Sequence, residues 1–197
     1  GDVHVDVADR ADELVDDGAV GRVRLVKAAF RFVLPTLDDI RASTELDGGS
    51  LMDVGCYCVS GSRLLAGEPE HVRGEQVVGP SGIDMSFHGT MRFPGDVVAQ
   101  FDCSFALPEY QRLEVEGEEG SLVVESPWRT DWPGDVLVRR GGDVERVEMP
   151  GGNAYRFELE NFADAAEGKA QPTLGREDAL GQARTIAALY RSAEERR

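Results

Sequence analysis

The sequence predicts an α+β fold, an open, mostly antiparallel β-sheet with helices packed on one face. Strand-like segments form one central block and helical segments flank it, instead of alternating strand with helix as a parallel α/β protein would. Two of the strand pairs turn on tight glycine-rich loops, Gly117-Glu118-Glu119-Gly120 and Gly141-Gly142-Asp143, which brings neighbouring strands together antiparallel. No Gly-x-Gly-x-x-Gly follows a strand, so the fingerprint of a dinucleotide-binding βαβ unit is missing from these residues.

The elements follow in order. Residues 2–17 carry Val7, Ala8, Ala11, Leu14 and Val15 at helical spacing, and Gly18 and Gly21 end the pattern. Residues 22–34 read as a long strand with Val26, Ala28, Phe30, Phe32 and Leu34 on one face, stopped by Pro35. A loop from Thr36 to Gly49 leads to a helix over about 51–66, closed by Gly67 and Pro69. A weak strand covers 71–78. In 83–93, Ile83, Met85, Phe87, Met91 and Phe93 face one way, and Asp84, Ser86, His88, Thr90 and Arg92 the other. After the turn at Pro94-Gly95-Asp96, the apolar face continues through Val97, Ala99, Phe101, Cys103 and Phe105. Hairpins pair 111–116 with 121–126 and 135–140 with 144–149. Helical spacing returns over 155–167 (Tyr155, Leu159, Phe162, Ala163, Ala166) and 176–194 (Ala179, Ala183, Ile186, Ala187, Tyr190).

Composition narrows the function. A chain of 197 residues with 41% hydrophobic and 29% charged residues suits one globular domain. Its net charge of −16 opposes nucleic acid and anionic membrane surfaces as partners. No apolar run is long enough to span a membrane, and valines interrupted by aspartates rule out a signal peptide at residues 2–7, so the cytoplasm is the expected location. The basic residues are nearly all arginine, Lys27 and Lys169 excepted. Cys56, Cys58 and Cys103 are too few for a disulfide framework and lack metal-ligand spacing; with His4, His71 and His88 scattered, no metal site is expected.

One segment carries chemistry: Gly48-Gly49-Ser50-Leu51-Met52-Asp53-Val54-Gly55-Cys56-Tyr57. It sets an acid and a phenol four residues apart at a helix start, where i and i+4 share a face, so Asp53 and Tyr57 can point into one cleft. Ser50 can cap the helix, and the glycine pair allows a tight entry with room for a ligand. Ser50-x-x-Asp53 equally fits a capping box, with Tyr57 an ordinary amphipathic residue. Arg41, shortly before the glycine pair, can contact substrate or a cofactor phosphate, or pair with a nearby acid. His88 fits a solvated or subunit-facing sheet surface better than a catalytic patch.

The segment resembles the C-terminal, substrate-binding domain of the Gfo/Idh/MocA oxidoreductases, nearest the glucose–fructose oxidoreductase and dihydrodiol dehydrogenase branch, where the pattern runs Gly-Gly-x-x-x-Asp-x-Gly-x-His/Tyr. Further likeness lies in 13–21, in Arg63-Leu64-Leu65-Ala66-Gly67-Glu68-Pro69, in the hairpin around Gly117-Glu118-Glu119-Gly120, and in 157–166 and 178–193. The resemblance implies hydride transfer between NAD or NADP and a CH–OH group of a sugar, polyol or diol. In it, Tyr57 is the acid/base, Asp53 orients the substrate, and Arg41 and Gly49 line its site. It also implies that residues 1–21 are the end of a nucleotide-binding domain and 22–197 the substrate-binding and oligomerisation domain. The Rossmann domain and its catalytic Lys would then lie outside these residues, no cofactor would bind this chain, and the chain alone would be inactive. The open sheet face would mediate a homo-oligomer. The rival reading is a non-catalytic ligand-binding or oligomerisation module, which the helix at 2–17 disfavours, since a module evolved alone would not keep part of a missing domain.

Overall fold

Eleven residues, mostly β-branched, aromatic or small and apolar, with Arg24, Lys27 and Arg31 interspersed, make β1 (Val23–Val33) the axis of the sheet. The computed structural model describes residues 7–128, 135–148 and 153–195. Around β1 stand β2 (His71–Val78), β3 (Asp84–Phe93), β4 (Val97–Ser104), β5 (Ala106–Gly117), β6 (Gly120–Glu125), β7 (Val136–Arg140) and β8 (Asp143–Val147). Their order is β2-β3-β4-β1-β5-β6-β7-β8. β1 runs parallel to β4, with Ala28 opposite Phe101, and every other neighbouring pair is antiparallel. The class is α+β with a mostly antiparallel sheet, as the sequence predicts. Residues 2–6 of the first predicted helix and residue 149 of the last predicted strand lie outside the described residues.

The helices are α1 (Val7–Asp16), α2 (Cys56–Ala66), α3 (Ala154–Ala166) and α4 (Arg176–Glu194). α1, α2 and α4 cover one face of the sheet. There Val26, Phe87, Met91, Phe93, Ala99, Cys103, Leu113 and Val115 of the strands meet Val54, Cys58, Val59, Leu65, Ile186 and Leu189. Each large side chain fully buried in this way contributes about 1.5–3 kcal/mol. Ala11 of α1 is fully buried in the same core, so α1 is part of one body with the sheet. Arg63, also buried, ties α2 to α4: its Nη1 donates to Asp178 Oδ1 at 2.8 Å and to Gln182 Oε1 at 3.1 Å, and Glu68 takes the other side of the guanidinium. Buried charge is tolerated here because it is paired and hydrogen-bonded.

The opposite face is polar, with Lys27 and Arg31 of β1 alongside Gln100 and Asp102 of β4 and Arg112 and Glu114 of β5. His88 is exposed on it.

Two expectations need correction. Strict alternation puts Asp84 on the polar face, but Val77 pairs with Ser86 and Val78 with Asp84, so β3 carries one extra residue at Met85. Such a bulge reverses the side on which preceding residues emerge, and Asp84 lies 3% exposed beneath the helices. The stripe of α3 is also not packed: Tyr155, Leu159 and Phe162 are 62%, 67% and 71% exposed. Amphipathic spacing marks a face fit for burial but does not supply the surface that buries it.

Candidate functional site

The site is built where the loop after β1 enters α2. Two short 3₁₀ turns, Ile40–Ala42 and Thr44–Leu46, fold the loop back so that Gly49 N–H donates to Arg41 C=O at 2.9 Å. A single wide π-helical turn, Leu51–Gly55, then runs straight into α2; such turns recur where a helix serves a function. Gly55 lets this turn lie on the sheet, since a Cβ there would stand 2.7 Å from Cys103 Sγ and 2.9 Å from Leu51 Cδ1.

No capping box forms. Ser50 is already helical (φ −66°, ψ −33°) and makes no cap bond. Its Oγ donates to Asp84 Oδ2 at 2.8 Å, and Leu51 N–H donates to the same oxygen at 2.7 Å. Tyr190 of α4 donates its hydroxyl to Asp84 Oδ1 at 2.9 Å. A carboxylate on a neighbouring strand thus satisfies the helix start that Ser50 was expected to cap, with its charge at the favourable end of the helix dipole. Burial pushes the Asp84 carboxyl above its ordinary value against these three bonds. Gly49 makes the arrangement possible: it adopts φ +135°, and a Cβ there would overlap the Asp84 carboxylate. In this structure the room at Gly49 is taken by Asp84.

Asp53 and Tyr57 emerge on the outer side of this helix start. Asp53 Oδ1 accepts from Arg41 Nε at 3.2 Å. Burial still holds the Asp53 carboxyl above its usual range, with Arg41 opposing. Of the two readings of Arg41, the structure shows the pairing with acids. Its backbone N–H and its Nη1 also donate to Asp39 Oδ1 and Oδ2 at 2.9 and 3.1 Å, and its guanidinium lies 5.9 Å from the Phe32 ring centroid.

Tyr57, 42% exposed, leans on two aromatic rings. Its centroid is 5.5 Å from Phe30 and 6.0 Å from Trp128, which themselves stack at 5.4 Å and 8°. Burial raises the phenol above its ordinary value, and Cys56, Tyr155, Asp53 and Glu158 push it further the same way. The phenol therefore stays protonated at neutral pH and is equipped to donate a proton. Acting as a base would require a cation brought beside it. Cys56 is no nucleophile, since burial lifts its thiol to about 11.

The structure thus brings Arg41, Asp53 and Tyr57 to one rim and sets Gly49 just beneath it. Sequence reasoning missed Asp84, Tyr190 and Trp128 as parts of this arrangement. Period-two alternation sent Asp84 to the wrong face, and nothing in the sequence links Trp128 or Tyr190 to the helix start. Among the described residues no cluster of His, Cys, Asp and Glu could hold a metal ion, and no helix is long and apolar enough to cross a membrane. Arg41 is engaged by two carboxylates, Asp39 and Asp53.

The frame of the site is thus an antiparallel-rich sheet backed by helices, with an acid and a phenol at the start of the helix that packs on the central strand. The chain belongs to the GFO/IDH/MocA family, whose C-terminal domain model matches residues 8–123. It is 35% identical over 192 residues to D-xylose 1-dehydrogenase (NADP(+)) 2 of Haloferax volcanii, covering 95% of this chain and 59% of that enzyme. It is 32% identical over 177 residues to dTDP-3,4-didehydro-2,6-dideoxy-alpha-D-glucose 3-reductase of Streptomyces violaceoruber, covering 86% of this chain and 51% of that enzyme. Its fold matches the aldose-aldose oxidoreductase of Caulobacter crescentus, solved with glycerol, at a TM-score of 0.89 and 26% identity, over 98% of this chain and 60% of that one. The chain therefore spans somewhat more than half the length of these relatives.

Proposed function

We propose that this chain forms the substrate half of an NAD(P)-dependent oxidoreductase acting on CH–OH groups of a sugar, polyol or diol. The observation that carries the reading is the juxtaposition at one helix start of a clamped carboxylate, Asp53, and a protonated phenol, Tyr57, held by aromatic rings. Family membership and the sugar-acting relatives support it. In this reading the dinucleotide, with the Lys that the family places beside the phenol, is held by a Rossmann domain outside these 197 residues, and residues 1–21 are the end of that domain.

The nicotinamide supplies the hydride donor or acceptor. The chain's own residues handle position and proton. Asp53 accepts a hydrogen bond from a substrate hydroxyl and fixes the ring in register, a role in which orientation lowers the barrier. Arg41 holds that carboxylate in place. In the reducing direction Tyr57 donates its phenolic proton to the oxygen that becomes the alcohol. In the oxidising direction it takes the hydroxyl proton, which requires a cation to lower its pKa.

The open sheet face is the proposed surface for a homodimer. Its charges are neutralised within the chain: Lys27 sits between Glu114 and Glu116, Arg31 meets Asp102 at 3.3 Å, and Arg112 meets Glu114 at 2.9 Å. That leaves these side chains close to neutral as a group, so the charge that opposes a second copy comes from the rest of the chain.

The test of the catalytic reading is Tyr57→Phe in the full-length protein. The ring and its packing stay, so the circular dichroism and melting should hold, while kcat falls about 10²–10⁴-fold, the usual worth of a general acid/base. A kcat within twofold of the parent would assign Tyr57 to structure.

A further inference from the structure

Asp39 is the N-cap of the Ile40–Ala42 turn, and both of its carboxylate oxygens are committed to Arg41: Oδ1 accepts from the Arg41 backbone N–H and Oδ2 from Nη1. Asp53 takes Nε of the same guanidinium. One cation therefore faces two carboxylates, and the cluster carries a net charge of about −1. Burial raises the Tyr57 phenol, and Asp53 and Glu158 push it the same way, so their negative field reaches its hydroxyl. Beside it, Phe30, Tyr57 and Trp128 offer flat apolar surface, to which the C–H face of a hydroxylated ring is complementary.

Resting on the function proposed above, we propose that this site selects uncharged hydroxylated substrates, free sugars, polyols or diols, over sugar phosphates and sugar nucleotides, and that Asp39 is the residue that sets the selection. Arg41 is the group that would otherwise recruit a phosphate, since a guanidinium matches its oxygens bidentately. Asp39 takes Nη1 of that guanidinium in advance, through a carboxylate fixed by the turn it caps, while Asp53 takes Nε. A phosphate dianion entering must displace an intramolecular partner and approach a net negative cluster. A neutral polyol meets neither cost, and its hydroxyls can hydrogen-bond to Asp53. Asp39→Asn keeps an oxygen to accept from the Arg41 backbone N–H, removes the charge, and puts an amide NH2 where Nη1 had its acceptor, which frees that nitrogen for a ligand. With a dianion about 8 Å from the lost charge and an effective dielectric of 40–80, discrimination should relax about five- to thirtyfold at low ionic strength.

The experiment uses the full-length protein and its Asp39→Asn variant with four probes: D-xylose, D-glucose, D-glucose 6-phosphate and dTDP-glucose. Steady-state turnover with NADP⁺ gives the ratio of kcat/KM for glucose 6-phosphate and dTDP-glucose to that for glucose, and calorimetric titration with the same probes gives the affinity ratio without turnover. The expected result is preference for the free sugars in the parent and a ratio shifted at least fivefold toward the phosphorylated probes in the variant. That shift should shrink at 0.5 M salt, which a merely structural effect would not do. Stronger use or binding of a phosphorylated probe by the parent, or an unchanged ratio in the variant, overturns the selection while leaving the oxidoreductase reading standing. Absence of turnover and of binding for all four probes overturns both.

Discussion

Replacing Asp84 by alanine tests whether the site helix is held from the neighbouring strand. The carboxylate accepts three hydrogen bonds, from Ser50 Oγ at 2.8 Å, Leu51 N–H at 2.7 Å and Tyr190 OH at 2.9 Å. Each bond to a charged group is worth about 1.5–3 kcal/mol net, and truncation leaves three donors facing a small void. Relief of the carboxylate's own burial cost, visible in its raised pKa, offsets part of this, as does any water that enters. The net loss should resemble removal of one partner from a buried ion pair, about 3–5 kcal/mol. For a domain of this size that is a fall of about 6–20 °C in Tm. Thermal melts followed by circular dichroism measure it, together with a double-mutant cycle. Tyr190→Phe should cost about 1–2 kcal/mol in the parent and almost nothing beside Asp84→Ala, because its acceptor is already gone. Asp84→Asn, which retains an acceptor for Ser50 and Leu51, should cost less than alanine. Its penalty should also depend on pH. The native carboxyl titrates above the unfolded one, so its contribution is fully present below about pH 3.8 and is lost as pH rises through the native pKa. The asparagine penalty is therefore larger at pH 3.5 than at pH 7. A Tm change under 3 °C for alanine, or an equal cost of Tyr190→Phe in both backgrounds, would refute the reasoning.

Asp53→Asn should lower kcat/KM of the full-length protein at least tenfold with a Tm change within about 2 °C, because Asp53 makes no cap bond and its partner Arg41 keeps Asp39; equal losses of activity and stability would make it a structural acid. The proposed dimer should strengthen with salt, which screens the repulsion between two chains of charge −16. Light scattering at tens of micromolar chain that reads a monomer at both low and high salt would remove it.

Much of the architecture was legible because it is local. Period-two alternation over Phe87–Phe93 of β3 and Ala99–Cys103 of β4, and the Gly117–Gly120 and Gly141–Asp143 turns, depend on residues a few positions apart, and the structure reproduces them. The positions of Asp53 and Tyr57 on one rim also follow from helical spacing, and the π-helical turn between them does not spoil it. What failed was non-local. The Ser50–Asp53 capping box is a sound local pattern, but Asp84, 34 residues beyond Ser50, reaches the helix start first. It does so only because one extra residue at Met85 turns β3, and a bulge leaves no mark in an alternating pattern.

The sequence by itself determined the α+β class, the strand and helix segments, and the acid–phenol pair, since each rests on spacing along the chain. Tertiary structure alone decided four things: that β1 lies parallel to β4, that Asp84 and Tyr190 anchor the site helix, that Asp39 and Asp53 share Arg41, and that Trp128 stacks beside Tyr57. The physical reason is the same in each case. A partner for a strand edge, a buried carboxylate or an aromatic face is chosen by competition among all groups that packing brings near, and sequence distance has no vote in that competition.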